Sequence, residues 1–483
     1  MYLNLHLLRP EICLAITAIA VIAVDLFSRR KWLVNTVSLV GLLVSIVLAI
    51  SLVGSMPNYV GNGLFVLDNY AVFFKILFIA IAILVVLVST DYIERIPKLH
   101  GEYHALLLTA TLGAMLTAAA QNIISVILSV ELTAVSLYAL VGMLKNEKST
   151  ESSLKYLLLG AVNSAVMLFG LALVFGFTGS TNFSEIAEMI SKSVMSDGFG
   201  LFFGLALVFA GFAFKIAAVP FHMWAPDVYE GSPTPITLFL STVSKIAGFS
   251  ILLRLVIIIV DTSSNHTWGM LLAIISAVTM TTGNLLAISQ NNIKRLLAYS
   301  SIAQSGYMLM AVAAVSVSMH DSLTIVSSLQ SYMVAFALAE IAVFSVVIIA
   351  SRYKDSESIT DYSGLGKRSP RMAFILTLGL LSLMGFPLMA GFMGKFYVFN
   401  QVANGGLLWL VIIAVINSVI SAFYYLRIIR TIWIETPQSF ETPRSSPALK
   451  IVLFISGIGI LLFGILPAIL STFTAWGSQF ISI

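Results

Sequence analysis

The sequence predicts an all-α integral membrane protein with about 14 transmembrane helices, two of them broken. Three observations carry this expectation. Of 483 residues, 59% are hydrophobic and 10% are charged, against ~25% charged in soluble domains. The apolar residues fall in unbroken runs of about twenty, the length a helix needs to cross ~30 Å of hydrocarbon. Lysine and arginine collect in alternate loops between those runs. So large an apolar excess must face lipid, which excludes disordered, collagen-like and nucleic-acid-binding classes.

The runs cover approximately residues 11–27, 34–53, 70–90, 103–120, 123–144, 153–177, 200–220, 234–260, 268–290, 298–317, 323–350, 372–402, 407–432 and 449–473. None alternates apolar with polar residues as barrel strands do, so helices remain as the way to satisfy the backbone in lipid. The first run ends at Asp25 and Arg29-Arg30-Lys31 without a small-residue cleavage site, and reads as a retained span. A single cysteine, Cys13, leaves no internal disulfide, four-thiolate cluster or CxxC site. The histidines (His6, His100, His104, His222, His266, His320) lack metal-ligand spacing, and Gly198, Gly200 and Gly204 do not match a dinucleotide fingerprint. No cofactor or metal is expected in this chain.

Loops after odd-numbered runs hold eighteen cations: Arg29, Arg30, Lys31, Arg95, Lys98, Lys145, Lys148, Lys294, Arg295, Arg352, Lys354, Lys367, Arg368, Arg371, Arg427, Arg430, Arg444 and Lys450. The other face holds Arg9 and Lys192. The positive-inside rule then puts the odd loops in the cytoplasm and both termini on the outer, periplasmic side of the cell inner membrane. Pro220, after Lys215-Ile-Ala-Ala-Val, interrupts the seventh run, and Gly385-Phe386-Pro387 interrupts the twelfth. Breaks five helices apart predict two inverted five-helix repeats, helices 4–8 and 9–13, around a midplane site. The corresponding divisions are 1–99 (helices 1–3), 100–262 (first repeat), 263–436 (second repeat) and 437–483 (helix 14).

A charge at the centre of a span costs ~2.5–3.5 kcal/mol, so each one needs a partner or a function. Glu131 lies about eight residues into the fifth run, Lys215 about fifteen into the seventh, Lys245 about eleven into the eighth, and Lys395 in the second half of the broken twelfth. Glu340, in Phe336-Ala-Leu-Ala-Glu-Ile, is central but has no legible partner, and Lys155 at the start of the sixth run is an equal candidate for the interface. Lys75 and Arg254, near outer ends, read as snorkelling side chains. Ser241, Ser244 and Lys245 are expected on one helix face, and Tyr299, Ser300, Ser301, Gln304, Ser305 and Tyr307 enrich the tenth run. Such a row suits proton transfer. At ~4 Å and an effective dielectric near 20, a carboxylate attracts a lysine by about 4 kcal/mol, roughly three pKa units, so moving Glu131 relative to Lys215 would switch a proton.

At Pro220-Phe-His-Met-Trp-Ala-Pro-Asp-Val-Tyr-Glu-Gly-Ser-Pro-Thr-Pro235 the chain resembles the proton-antiporter-like membrane subunits shared by respiratory complex I, related hydrogenases and multisubunit Na⁺/H⁺ antiporters. Further matches are Ser129-Val-Glu-Leu-Thr-Ala-Val-Ser-Leu-Tyr-Ala-Leu-Val-Gly142, Ser153-Leu-Lys-Tyr156, Asn292-Ile-Lys-Arg-Leu-Leu-Ala-Tyr-Ser-Ser-Ile-Ala-Gln-Ser-Gly-Tyr307, and Gly385-Phe-Pro387 with Gly394-Lys395. The form around Glu131, a lysine in the twelfth helix and an end without a long lateral helix are most similar to the N-subunit family of NADH:quinone oxidoreductases.

The resemblance implies that Glu131 and Lys215 are a regulating pair, Lys245 a central relay and Lys395 the terminal proton site. Lys155 matches an extra sixth-helix lysine, His222 lies in the seventh-helix break, and Glu340 departs from the family pattern. It further implies that FMN, iron–sulfur clusters and quinone belong to partner subunits, and that the chain assembles with the antiporter-like M and L subunits and the small K and J subunits. A subunit of a Na⁺/H⁺ antiporter or membrane-bound hydrogenase is the alternative on the same helices. An autonomous solute carrier would need convergent recognition groups in one pocket rather than lysines spread over several helices. A passive scaffold would have no use for Glu131 or Lys245 inside lipid.

Overall fold

A computed structural model describes residues 4–28, 31–93, 99–192, 198–260, 266–317, 322–351, 357–437 and 446–479. Of the loop cations that set the topology, Arg29, Arg30, Arg95, Lys98, Arg352, Lys354 and Arg444 lie outside the described residues.

The chain is a bundle of helices: α1 Arg9–Phe27, α2 Lys31–Ile50, α3 Asn69–Tyr92, α4 His100–Ala119, α5 Ile123–Val141, α6 Glu147–Thr178, α7 Phe183–Lys192, α8 Gly198–Lys215, α9 Trp224–Gly231, α10 Thr234–Phe239, α11 Lys245–Leu255, α12 His266–Ile288, α13 Ile293–Val317, α14 Ser322–Ser351, α15 Leu365–Arg368, α16 Pro370–Met384, α17 Ala390–Asn404, α18 Leu408–Trp433, α19 Pro447–Ile465 and α20 Pro467–Gly477. Among the described residues, eleven helices are long and apolar enough to cross a membrane, and the shorter apolar helices Phe199–Lys215 and Pro370–Met384 are halves of the two broken spans. The expected runs fall on helical segments, with one difference: the last run, 449–473, is divided between α19 and α20, where Pro467 starts a new helix. A short hairpin, β1 Asn58–Val60 with β2 Phe65–Leu67, turns through Gly61-Asn62-Gly63 and touches the end of α4 at Ala120.

Helix starts follow local chemistry. Asp68 accepts from Ala71 N–H at the head of α3, Asn122 and Ser125 form a capping box on α5, and Asn146 and Ser446 cap α6 and α19. The spans differ sharply in burial. Thr234–Ile258 and α13 are each 94% buried and α14 is 89% buried, whereas α2 and α18 are 28% and 33% buried and leave apolar faces outward. The buried three carry Lys245, Ser301, Gln304 and Glu340.

Both interruptions are segments rather than kinks. Residues 216–223 separate α8 from α9, and 385–389 separate α16 from α17. Their freed backbone groups are satisfied by protein, as irregular backbone at membrane depth requires. Ser305 Oγ donates to Ile216 O (2.7 Å), Val219 N–H donates to Thr279 Oγ1 (3.1 Å), and the Trp224 indole N–H donates to Phe214 O (2.9 Å). Gly385 takes a φ of +90°, which only glycine adopts freely, to end α16.

Candidate functional site

The first station lies between α5, α6 and α8. Glu131 Oε1 accepts a hydrogen bond from Ser164 Oγ of α6 at 2.5 Å. Lys215 ends α8, buried, and its Nζ has no hydrogen-bond partner among the described residues. Glu131 and Lys215 interact electrostatically without touching. Beside the lysine is a cavity of about 20 Å³ lined by Thr133, Tyr156, Phe212, Ser244 and Gly248, room for about one water. Gly248 lets α11 approach Lys215 closely, since a Cβ there would stand 3.0 Å from Ile216.

The central station lies in the three most buried spans. Lys245 Nζ donates to Ser301 O (2.7 Å) and Ser301 Oγ (2.5 Å) on α13. A π-helical turn over Leu240–Ser244 immediately precedes it, a widening often found at functional sites. That turn breaks the spacing expected for a shared face: Ser244 lines the Lys215 cavity, Ser241 sits beside Glu340, and Lys245 points to Ser301. Glu340 of α14 is completely buried, and neither carboxyl oxygen has a geometric hydrogen bond among the described residues. The cation that interacts with it electrostatically is Lys245, the partner that sequence reading lacked.

The terminal station uses the second break. Lys395 Nζ of α17 donates to Leu383 O (3.0 Å), Met384 O (3.1 Å) and Ser418 Oγ (3.4 Å), and stands 4.4 Å over the Tyr307 ring. The two carbonyls are the freed C-terminal acceptors of α16, the negative end of its dipole. Polar groups bridge this station to the central one. Gln304 Nε2 also donates to Leu383 O (3.0 Å) and to Tyr425 Oη (3.4 Å); the Tyr425 and Ser300 hydroxyls meet at 2.5 Å, and Ser300 adjoins the Ser301 that holds Lys245. Tyr332 Oη donates to Gln304 Oε1.

Lys155 is not brought into this row. It is half-exposed and bridges Glu151 (2.7 Å) and Asp227 (2.9 Å). There the signature segment is clamped to α6 and α13: Arg295 pairs with Asp227 (2.8 Å) and Glu230 (2.9 Å), Lys148 with Glu230 (2.8 Å), and Lys294 with Glu357 (2.8 Å). Partial burial works to raise the Asp227 and Glu230 carboxyls, but their lysine and arginine partners outweigh it and hold both below the usual carboxylate range. His222 sits buried in the first break, its Nδ1 without a hydrogen-bond partner among the described residues.

Two expectations are overturned. Lys75 does not snorkel: it is 1% exposed and pairs with Glu11 of α1 at 2.6 Å. Arg254 is likewise buried and grips Asp68 with two bonds of 2.9 and 3.0 Å, with Nη2 also donating to Ala118 O (3.1 Å) and the Tyr70 ring 4.8 Å away. A carboxylate stood near each, from a helix or loop distant in sequence, and a closed pair satisfies an ammonium or guanidinium where its own stem cannot reach water.

Comparison with known proteins follows the same outline. Residues 120–421 match the family described as NADH:quinone oxidoreductase/Mrp antiporter, TM. The NADH-quinone oxidoreductase subunit N of Dehalococcoides mccartyi is 44% identical over 472 residues, covering 96% of this chain and 97% of that protein. A chain of respiratory complex I from Thermus thermophilus with bound aureothin superposes with a TM-score of 0.81 at 28% identity, covering 96% of this chain and 99% of that one. A chain of an archaeal membrane-bound sulfane sulfur reductase superposes with a TM-score of 0.88 at 26% identity, covering 98% and 96%.

Proposed function

This chain belongs to the NADH-quinone oxidoreductase subunit N family, the antiporter-like membrane subunits of respiratory complex I, and we propose that it carries protons laterally through Glu131, Lys215, Lys245 and Lys395. Glu131 and Lys215 act as the gating pair, Lys245 as the relay and Lys395 as the terminal site. When Glu131 closes on Lys215 the ammonium is favoured; when it withdraws to Ser164 the lysine releases its proton toward Lys245. Lys395 then takes the proton against the acceptor end of α16. His222 and Lys155 are secondary, one in the break and the other in the polar clamp at its mouth. Pro220 and Pro387 keep both interruptions from reforming as helix.

The observation that carries this reading is the state of the lysines. All three are buried, and among the described residues none is closed into a contact ion pair: Lys215 has no hydrogen-bond partner there, Lys245 rests on Ser301, and Lys395 on carbonyls. The chain works as one subunit of a proton-translocating enzyme whose FMN, iron–sulfur clusters and quinone lie in other subunits, flanked by the M, L, K and J subunits. It sits in the inner membrane with both termini periplasmic and two inverted repeats, helices 4–8 and 9–13, around the breaks.

The test is protons moved per electron in fully assembled complex. Lys215→Ala and Lys245→Ala should each lower pumping by roughly tenfold or more, the contribution expected of a positioned proton-transfer group. Glu131→Gln should behave similarly and Glu131→Asp more mildly. Normal pumping by both lysine variants would remove the route.

A further inference from the structure

Glu340 is a buried acid that a lateral row of lysines does not require. It sits mid-way along α14 at 0% exposure, in a helix that is 89% buried within the chain. An isolated carboxylate in such a place costs several kcal/mol and must either neutralise or find a counter-charge. Four groups on four elements interact with it electrostatically: Ser241 of the π turn, Lys245 of α11, Tyr229 of α9 and Tyr425 of α18. Lys245 is the one cation among them. Its Nζ is turned onto Ser301, and both Glu340 oxygens are left free of geometric hydrogen bonds among the described residues.

We propose that Glu340 is a proton-binding residue of the central station, forming with Lys245 a second opposed-charge pair in the lateral route. This rests on that route and adds to it. The exchange balances without electrons. At rest the station is Lys245 ammonium with Glu340 carboxylate, neutral overall. A proton arriving from the Lys215 side binds a Glu340 oxygen; the now uncompensated ammonium gives one N–H proton toward the Ser301, Ser300 and Tyr425 hydroxyls, and the Lys395 amine takes it. Glu340 then returns its proton to the Lys245 amine and the pair is restored. One proton enters and one leaves, and the station carries a net charge only in transit. A lone lysine would hold a full buried charge at rest, which is the cost that Glu340 removes.

The experiment is a double-mutant cycle on the intact complex in native membrane vesicles, with protons per electron as readout. Glu340→Gln, Lys245→Ala and the double variant are compared after native gels show equal assembly. Expected is a loss of roughly tenfold or more in Glu340→Gln, no further loss when it is added to Lys245→Ala, and partial recovery in Glu340→Asp. The difference infrared spectrum under turnover should lose a carboxylic-acid band in Glu340→Gln. If Lys245→Ala abolishes pumping while Glu340→Gln pumps normally, the pair is wrong and the route stands. If Lys245→Ala itself pumps normally, the route fails first. Losses that multiply in the double variant would make Glu340 an independent structural group. Should Glu340→Gln fail to assemble, Glu340→Asp decides by the same cycle, and additive loss there also overturns the pair.

Discussion

Asp68→Asn separates the charge of a buried pair from the cap it also provides. The Asp68 carboxylate both balances a guanidinium that is 5% exposed and accepts the Ala71 N–H at 2.8 Å. Asparagine keeps an oxygen for the cap but withdraws the charge. Breaking a buried pair costs about 3–5 kcal/mol. Ala118 O and the Tyr70 ring remain against Arg254, so the low end, about 3 kcal/mol or roughly 150-fold in the folding equilibrium, is expected. Arg254→Met leaves Asp68 still stabilised at the N-terminus of α3, an interaction of about 0.5–2 kcal/mol, and should cost less. The double variant removes both charges and should lie near wild type. Thermal unfolding of the purified complex and the yield of assembled complex give the ordering, and pumping per electron should be unchanged in whatever assembles. If the double variant loses as much as the two singles added together, the pair is not coupled and the account of it is refuted.

Two further outcomes test the ends of the site. With Nζ 4.4 Å over its ring, Tyr307 stabilises the Lys395 ammonium by about 0.5–2 kcal/mol, so Tyr307→Leu should slow pumping by a factor of roughly two to thirty while Tyr307→Phe, which keeps the ring, stays near wild type; equal losses in both variants would assign the effect to the hydroxyl, which accepts from Asn284 Nδ2 at 3.1 Å, instead. Asp227 and Glu230 are held below the usual carboxylate range, so their clamp is fully present above the unfolded carboxylate values near 4 and is lost only as pH falls through the lower folded values. Asp227→Asn should therefore lower the melting temperature at neutral pH, and its gap to wild type should close in acid; a gap that widens on acidification contradicts the clamp.

Hydropathy alone made the spans legible, because lipid imposes one length and one polarity on every helix. The breaks were legible from Pro220 and Gly385-Phe386-Pro387, and the candidate lysines from depth. Partners were not. Arg254 and Asp68 stand 186 residues apart, and a lysine such as Lys75, about six residues from an outer end, looks the same in sequence whether it snorkels or meets Glu11. One signal was available: Glu11 lies in the first turn of α1, at the edge of the first apolar run, an acid for which sequence reading named no partner. The π turn before Lys245 left no mark in composition, so a helical spacing drawn through Ser241, Ser244 and Lys245 gathered on one face three groups that serve three different neighbours.

Contact geometry divides the intramembrane charges into two kinds. Glu11–Lys75 and Asp68–Arg254 are closed at 2.6 and 2.9 Å, and a closed pair in low dielectric holds its proton arrangement against small movements. Among the described residues Glu131–Lys215 and Lys245–Glu340 form no contact ion pair: Glu131 accepts from Ser164, Lys245 rests on Ser301, Glu340 lies beside Ser241, and Lys215 has no geometric hydrogen bond. An open pair is costly to maintain, and that cost changes steeply with separation, since the attraction falls as the inverse of distance while desolvation of both groups persists. Small shifts of α5 against α8, or of α11 against α14, would therefore move proton affinity by amounts that closed pairs never see. Lys395, whose partners among the described residues are two backbone carbonyls and the Ser418 hydroxyl and no acid, is not switched this way. On the proposed route its affinity follows the position of the α16 end, and that route would open to release protons at the second break.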